Sequence, residues 1–155
     1  MTPKVTLLRQ IELYMGLPAG LAMNNSHLFY TDIKNDGGLY KLNLENGEKT
    51  VILPRSQACQ PHGLSIFKGD IIFTDTASHQ VKLVKLSSPG QISPLIGSGL
   101  TGRRYGPSSV ARLTQPTGIV SVGGTFIFVI RLKIVSSLNQ GQMDYVNFIV
   151  IKEKC

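Results

Sequence analysis

The sequence predicts an all-β fold built from repeated four-stranded units. Short apolar runs alternate with turn signals such as Asn-Asn, Asn-Gly and Gly-Gly, which is the pattern of successive hairpins. No segment shows a convincing helical pattern. A Pro-x-Gly motif also recurs after 43 and then 55 residues, and repeat lengths of about 40–50 residues are typical of solenoids and propellers.

The repeated motif has three copies in register. Gly20 and Gly63 each lie two residues after a proline and twelve residues before an aspartate, Asp32 or Asp75. Gly118 also follows a proline, but the residue twelve positions later is Ile130. We expect each Asp carboxylate to cap turn amides of its own unit, with ligation of a cation as the alternative. We expect the glycines to let inner strands approach each other closely.

Within the first two copies the turn residues divide each unit into four short strands. The expected strands of the first copy are 20–23, 28–31, 39–44 and 49–53. Those of the second copy are 63–67, 71–74, 81–86 and 92–96. Four strands per repeat without a helix is the pattern of a propeller blade.

The blade count predicts an incomplete propeller. The 155 residues hold about three and a half repeats of 43, whereas closed propellers have 4–8 blades. We assign residues 1–132 to blades, with repeats near 17–54, 60–96 and 115–132, and residues 133–155 to a divergent C-terminal β segment. The apolar run 148–151 resembles a strand that needs a partner. Open blade edges predict self-association or aggregation, and the chain is either a fragment of a larger propeller or half of a ring closed by two copies.

Composition limits the classes of protein to consider. Hydrophobic residues make up 42% of the chain, which excludes intrinsic disorder, and two cysteines exclude a disulfide framework. The formal net charge is +7, and no acidic residue lies between Thr76 and Met143. Such a basic stretch favours an anionic partner, although a solvated basic face without a ligand gives the same pattern.

The motifs resemble those of NHL-repeat β-propellers. The second copy carries the resemblance best through Pro61, Gly63, Asp75, His79 and Val81, and the glycine-rich segment from Gly97 to Gly118 resembles the linker before many NHL units. The resemblance covers residues 17–129. It implies a propeller scaffold in which the repeat histidine packs and forms hydrogen bonds within its blade. The sequence Phe-Tyr-Thr-Asp at 29–32 is also similar to the motif of YWTD propellers, which would imply an extracellular setting.

The candidate binding residues are basic and aromatic side chains of the linker 97–115. Arg103, Arg104, Tyr105 and Arg112 form the main cluster, and His62 lies beside the entrance of the second blade. Turns after the second and fourth strands of a blade lie at one end, so the linker should share a face with the turns 33–38 and 76–80. Guanidinium groups beside an aromatic ring suit phosphate, carboxylate or unpaired bases.

These residues predict a non-catalytic scaffold for protein–protein interaction. We expect no catalytic residues, no metal site and no cofactor, since the three histidines occupy unrelated repeat positions. One alternative is binding of single-stranded RNA by the basic linker face. Another is a fragment of a propeller enzyme, of lyase or lactonase type, without its own active site. We expect no membrane span, and a cytoplasmic location if Met1 is the true start.

Overall fold

The computed structural model describes residues 16–34, 37–54, 60–122, 124–134 and 143–152. These residues form strands and turns, without a helix in the described ranges. The strands are β1 (Pro18–Asn24), β2 (His27–Asp32), β3 (Gly38–Asn43), β4 (Lys49–Pro54), β5 (Pro61–Phe67), β6 (Asp70–Asp75), β7 (Gln80–Val84), β8 (Ile92–Ile96), β9 (Pro116–Val122), β10 (Thr125–Ile134) and β11 (Met143–Lys152). The predicted all-β class is confirmed.

The strands form three antiparallel sheets, which we call blades 1, 2 and 3. Blade 1 has the order β1-β2-β3-β4, and blade 2 has the order β5-β6-β7-β8. Every strand in these two blades pairs with its neighbour along the chain, so each blade is a simple meander. Both four-stranded units therefore lie where the turn residues predict them.

Blade 3 has three described strands in the order β9-β10-β11. Strand β10 extends across the predicted boundary between residues 132 and 133. Strand β11 pairs with β10 from Thr125↔Lys152 to Ile134↔Met143. The apolar run 148–151 lies in β11, and its partner is β10. Residues 143–152 thus add a strand to blade 3.

Apolar side chains fill the spaces between neighbouring blades, and the middle blade contributes them from both of its faces. In β6, Ile71 and Phe73 pack towards blade 1, whereas Ile72 packs towards blade 3. This alternation follows from the two-residue period of a strand. A blade buried on both sides therefore needs apolar residues at successive positions, as the run Ile71-Ile72-Phe73 provides.

The inner strands β1, β5 and β9 lie side by side, and glycine permits their close approach. A Cβ atom on Gly20 would lie 2.5 Å from the carbonyl oxygen of His62 in the next blade. A Cβ atom on Gly63 would lie 3.0 Å from the Cα of Gly118 and would overlap the carbonyl oxygen of Thr117. The expected crowding at these two glycines is confirmed.

A threonine hydroxyl links each of the first two blades to the next. The Thr31 Oγ1 atom accepts a hydrogen bond from the Gly20 amide at 2.8 Å and donates one to the carbonyl oxygen of His62. Thr74, 43 residues later, accepts from the Gly63 amide at 2.9 Å and donates to the carbonyl oxygen of Thr117. We call this pair of bonds the threonine latch.

The repeated aspartates cap turn amides of their own blades, as predicted. Asp32 accepts hydrogen bonds from the amides of Leu17 and Lys34, both at 2.9 Å. Asp75 accepts from the amide of Gln60 at 3.2 Å, the same fifteen-residue separation as Asp32 and Leu17. Asp75 is fully buried and also pairs with the ammonium group of Lys82 at 2.5 Å. In blades 1 and 2 the carboxylates therefore tie the entrance of the blade to the end of its second strand.

The two ends of the three-blade arc expose apolar side chains whose repeat equivalents are buried. Leu21 of blade 1 is 64% exposed, whereas its equivalent Leu64 in blade 2 is 4% exposed. Val122 of blade 3 is 76% exposed, whereas its equivalent Phe67 is 6% exposed and contacts the ring of Phe126. Leu21 and Val122 therefore stand where their repeat equivalents pack against a neighbouring blade.

Candidate functional site

The linker 97–115 folds back on itself between blades 2 and 3. Arg104 and Arg112 form an antiparallel bridge, with the Arg112 amide donating to the Arg104 carbonyl oxygen at 3.0 Å. Thr101 and Leu113 form a second bridge, in parallel orientation. The Ser98 amide also donates to the carbonyl oxygen of Ala111 at 2.8 Å. The linker is therefore an ordered hairpin-like segment.

Two side chains of the turn 76–80 fix the linker at both ends. The Gln80 Nε2 atom donates to the Gly97 carbonyl oxygen at 2.9 Å, and the Gln115 amide donates to His79 Nδ1 at 3.2 Å. Gly97 has φ +106°, and a Cβ there would lie 2.6 Å from the carbonyl oxygen of His79. The predicted proximity of the linker to this turn is confirmed. Residues 35 and 36 of the other turn, 33–38, lie outside the described residues.

The linker closes one side of a half-open cavity of about 340 Å³. Its floor consists of apolar side chains from blade 3, the outer strand of blade 2 and the returning arm of the linker. The floor residues are Leu95, Ile96, Ala111, Leu113, Phe126, Phe128 and Ile130. Because Phe126, Phe128 and Ile130 are alternate residues of β10, they lie on one face of that strand.

The rim of this cavity carries all four residues of the predicted linker cluster, namely Arg103, Arg104, Tyr105 and Arg112. The three arginines are exposed, and Tyr105 is 64% exposed. The residues of the cavity therefore combine a strongly apolar floor with a positively charged edge. We call this combination the linker pocket.

Arg104 and Arg112 are directly opposite each other in their bridge. Residues so placed have Cβ atoms about 4.5–5.5 Å apart, and like charges in this position destabilise the pairing. Among the described residues no acidic side chain pairs with either guanidinium group. The nearest acidic residues in the sequence are Asp75, which is paired with Lys82, and Asp144. The geometry therefore concentrates positive charge at one point of the rim.

Arg103 is positioned by the neighbouring aromatic ring. Its Nε atom donates to the Tyr105 hydroxyl at 3.2 Å, and its Cζ atom lies 5.6 Å from the centre of the Tyr105 ring. A guanidinium group over a ring is held by a cation–π attraction of roughly 0.5–1 kcal/mol at exposed sites. Tyr105 thus limits the directions in which Arg103 can point.

The remaining predicted site residue, His62, is not among the residues that line the linker pocket. It lies in β5, where its carbonyl oxygen accepts the latch bond from Thr31. His79, for which the NHL resemblance implies a role within its own blade, instead bonds the entrance of blade 3 through Gln115. Among the described residues no group of three His, Cys, Asp or Glu side chains could hold a metal ion. No described helix is long and apolar enough to cross a membrane.

The four linker residues singled out from the sequence lie together at the rim of the pocket, whereas the floor was not predicted. The arginines were visible as a basic run in a glycine-rich segment. The available signal for the floor was the alternation of Phe126, Phe128 and Ile130, which the repeat assigns to an ordinary inter-blade core. The return of the linker adds Ala111 and Leu113 to that core and to the lining of the cavity.

Comparison with solved structures supports the propeller fold. A nidogen/laminin complex matches with a TM-score of 0.58 and 18% identity, over 87% of this chain and 48% of that chain. A catalytically inactive virginiamycin B lyase from Staphylococcus aureus, solved with quinupristin, matches with a TM-score of 0.55 and 11% identity, over 94% and 44%. The selenomethionine-substituted lyase from Staphylococcus aureus matches with a TM-score of 0.55 and 15% identity, over 94% and 45%.

The chain spans about half the length of these propeller structures. Together with its four-stranded sheets, the matches identify an incomplete β-propeller. No protein-family model matches the sequence, and no curated protein matches it. The resemblance to NHL repeats therefore stays a prediction, while the propeller architecture is confirmed.

Proposed function

We propose that this propeller is a non-catalytic scaffold that binds a protein partner through the linker pocket and its arginine rim. The observation that carries the proposal is a half-open apolar cavity whose edge carries guanidinium groups that pair with no acidic side chain among the described residues. Protein interfaces combine apolar anchors with arginine in this way. An acidic surface on the partner would complement the rim and speed association.

The chemistry of the rim supports binding rather than proton transfer. Guanidinium groups keep their charge throughout the physiological pH range, so they do not act as a general acid or base there. They are strong, directional hydrogen-bond donors to carboxylates. The Tyr105 side chain of the rim is engaged by Arg103. The rim is therefore suited to recognise a negatively charged group.

Selection of random peptides displayed on phage tests this proposal. We expect the chain to enrich acidic sequences whose binding falls at least about tenfold when Arg103, Arg104 and Arg112 are all changed to Glu. The control for a single charge reversal is Lys85→Glu, which changes an exposed residue outside the pocket. Absence of enrichment over the triple variant, or equal loss with Lys85→Glu, would refute the proposal.

Two other outcomes would replace it. Salt-sensitive binding of a mixed-sequence single-stranded RNA, abolished in the triple variant and accompanied by no enriched peptide, would assign the rim to RNA. Turnover of quinupristin, the molecule present in one lyase structure, would show that the chain acts as an enzyme.

A further inference from the structure

We propose that the linker pocket recognises a short peptide element in which one large apolar side chain is flanked by a carboxylate. This inference rests on the proposed function and specifies the part of the partner that contacts the pocket. The apolar side chain would enter the cavity, and the carboxylate would lie between Arg104 and Arg112.

The size and lining of the cavity determine the first half of this element. A volume of about 340 Å³ is near the lower end of the roughly 300–1,000 Å³ found for ligand pockets, and the cavity is half open. It therefore suits one large side chain. The floor is formed by buried apolar residues such as Leu113 and Phe128, so a polar side chain would lose its hydration there without a hydrogen-bond partner.

The bridge between Arg104 and Arg112 determines the second half. Two guanidinium groups on directly opposite residues repel each other, and a carboxylate between them turns that repulsion into two charge-assisted hydrogen bonds. Because both arginines also line the cavity, the carboxylate must lie within about one residue of the apolar side chain. An aspartate, a glutamate or the terminal carboxylate of a chain supplies this group.

Fluorescence anisotropy with labelled peptides tests the inference. The probes are Gly-Asp-Leu-Asp-Gly with an amidated end, which offers side-chain carboxylates, and Gly-Gly-Ala-Leu with a free end, which offers the terminal carboxylate. Binding of either probe supports the inference and identifies the source of the carboxylate. The controls are Gly-Asn-Leu-Asn-Gly amide and Gly-Asp-Gly-Asp-Gly amide, which lack the charge and the apolar side chain respectively. We expect both controls to bind at least about tenfold more weakly than the better probe.

Protein variants and photo-crosslinking locate the contact. Arg104→Gln and Arg112→Gln should each weaken the better probe at least about tenfold, whereas Lys85→Gln should leave it unchanged. A photo-leucine in place of the leucine of the probe should crosslink to residues of the cavity. Equal binding of probe and controls, or crosslinks confined to other surfaces, would overturn the inference.

The outcome is separable from that of the proposed function. Phage selection that enriches peptides without an adjacent apolar side chain and carboxylate would leave protein binding standing and refute this element. If Gly-Asp-Leu-Asp-Gly amide bound only after its two aspartates were replaced by phosphoserine, the carboxylate would also be refuted.

Discussion

The amide of Gln115 donates a hydrogen bond to Nδ1 of His79 in the preceding blade. In the first two copies the equivalent amides, those of Leu17 and Gln60, bond the aspartate of their own blade. The third copy has Ile130 at the aspartate position, so its entrance amide cannot be capped in that way. A side chain of blade 2 thus provides the acceptor that blade 3 lacks, and it simultaneously fixes the end of the linker.

The first prediction concerns the crowded glycine of blade 2. Gly63→Ala should lower the free energy of unfolding by about 1–3 kcal/mol, because its Cβ would overlap the backbone of β9. The matched control is Gly118→Ala, whose Cβ would meet Val129 at 3.8 Å, an ordinary contact distance. Chemical denaturation of the two variants measures the difference. Equal stability of both would show that the inner strands are not packed as closely as the structure indicates.

The second prediction concerns the threonine latch. Thr74→Val should lower the free energy of unfolding by about 2–3 kcal/mol, because the buried Gly63 amide and the Thr117 carbonyl oxygen both lose their hydrogen-bond partner. Val129 occupies the latch position in blade 3, so Val129→Thr serves as the control and should change stability little. If Thr74→Val had the same melting temperature as the unmodified chain, a stabilising role for the threonine latch would be excluded.

The third prediction separates the stability of the linker from its binding role. Arg112→Glu should place opposite charges across the bridge with Arg104 and raise stability by roughly 0.2–1 kcal/mol at low salt. The same change should abolish binding of acidic peptides. Lys85→Glu, with the same change in net charge, controls for the global effect. A loss of stability in Arg112→Glu would mean that the two side chains do not face each other.

The fourth prediction concerns alkaline pH. Burial, with smaller contributions from Tyr40 and Asp32, raises the pKa of Tyr30 from 10.0 to about 12. Between these values the unfolded tyrosine ionises while folded Tyr30 keeps its proton, so stability should fall as pH rises from 10.0 to about 12. Chemical denaturation across this pH range should show that the free energy of unfolding falls less for Tyr30→Phe than for the unmodified chain.

Tyr40→Phe is a comparison for Tyr30→Phe at neutral pH only, because Tyr40 itself contributes to the raised pKa of Tyr30. Tyr40 stacks on Tyr30 at 5.2 Å and donates its hydroxyl to the Gly37 carbonyl oxygen at 2.6 Å, whereas the Tyr30 hydroxyl has no hydrogen-bond partner among the described residues. At neutral pH, Tyr40→Phe should therefore lower the free energy of unfolding by about 1 kcal/mol, whereas Tyr30→Phe should change it little. If the free energy of unfolding of Tyr30→Phe fell as much at alkaline pH as that of the unmodified chain, the raised pKa of Tyr30 would not be the cause of the fall.

The fifth prediction concerns the two end faces. We expect the isolated chain to dimerise or aggregate, because Leu21 and Val122 expose apolar surface that an adjoining blade would cover. Leu21→Lys and Val122→Lys should each reduce the apparent mass in light scattering at equal concentration. Val110→Lys, at an exposed linker position, is the control. A monodisperse monomer that melts cooperatively would contradict this prediction.

Local chemistry made much of the fold predictable. The four-strand units follow from turn residues and apolar runs, and each predicted strand of blades 1 and 2 overlaps an observed one. The capping by Asp32 and Asp75 follows from their common distance to the blade entrance. These features depend on contacts within one repeat, which a sequence pattern records directly.

Features that depend on contacts between distant segments were not predictable. Residues 135–142 separate β11 from its partner β10 in the sequence, and no repeated motif indicates that these two strands pair. The threonine latch was not predicted, because the sequence around Thr31 and Thr74 has only the pattern of a strand. The carbonyl oxygens that accept their hydrogen bonds lie in the next repeat. The pocket floor was missed for a similar reason, since it exists only where Ala111 and Leu113 meet β10.

The latch has a consequence for how such a chain can lengthen or shorten. Each joint takes its donor from one repeat and its acceptor from the next, so a tandem duplication of a 43-residue unit would bring both halves of a new joint. Removal of a whole unit would likewise leave matching halves in contact. Val129 interrupts this series, because a unit inserted directly after blade 3 would meet a methyl group where a hydroxyl is required. Insertions of whole units are therefore compatible with the joints before blade 3 and not with the one after it.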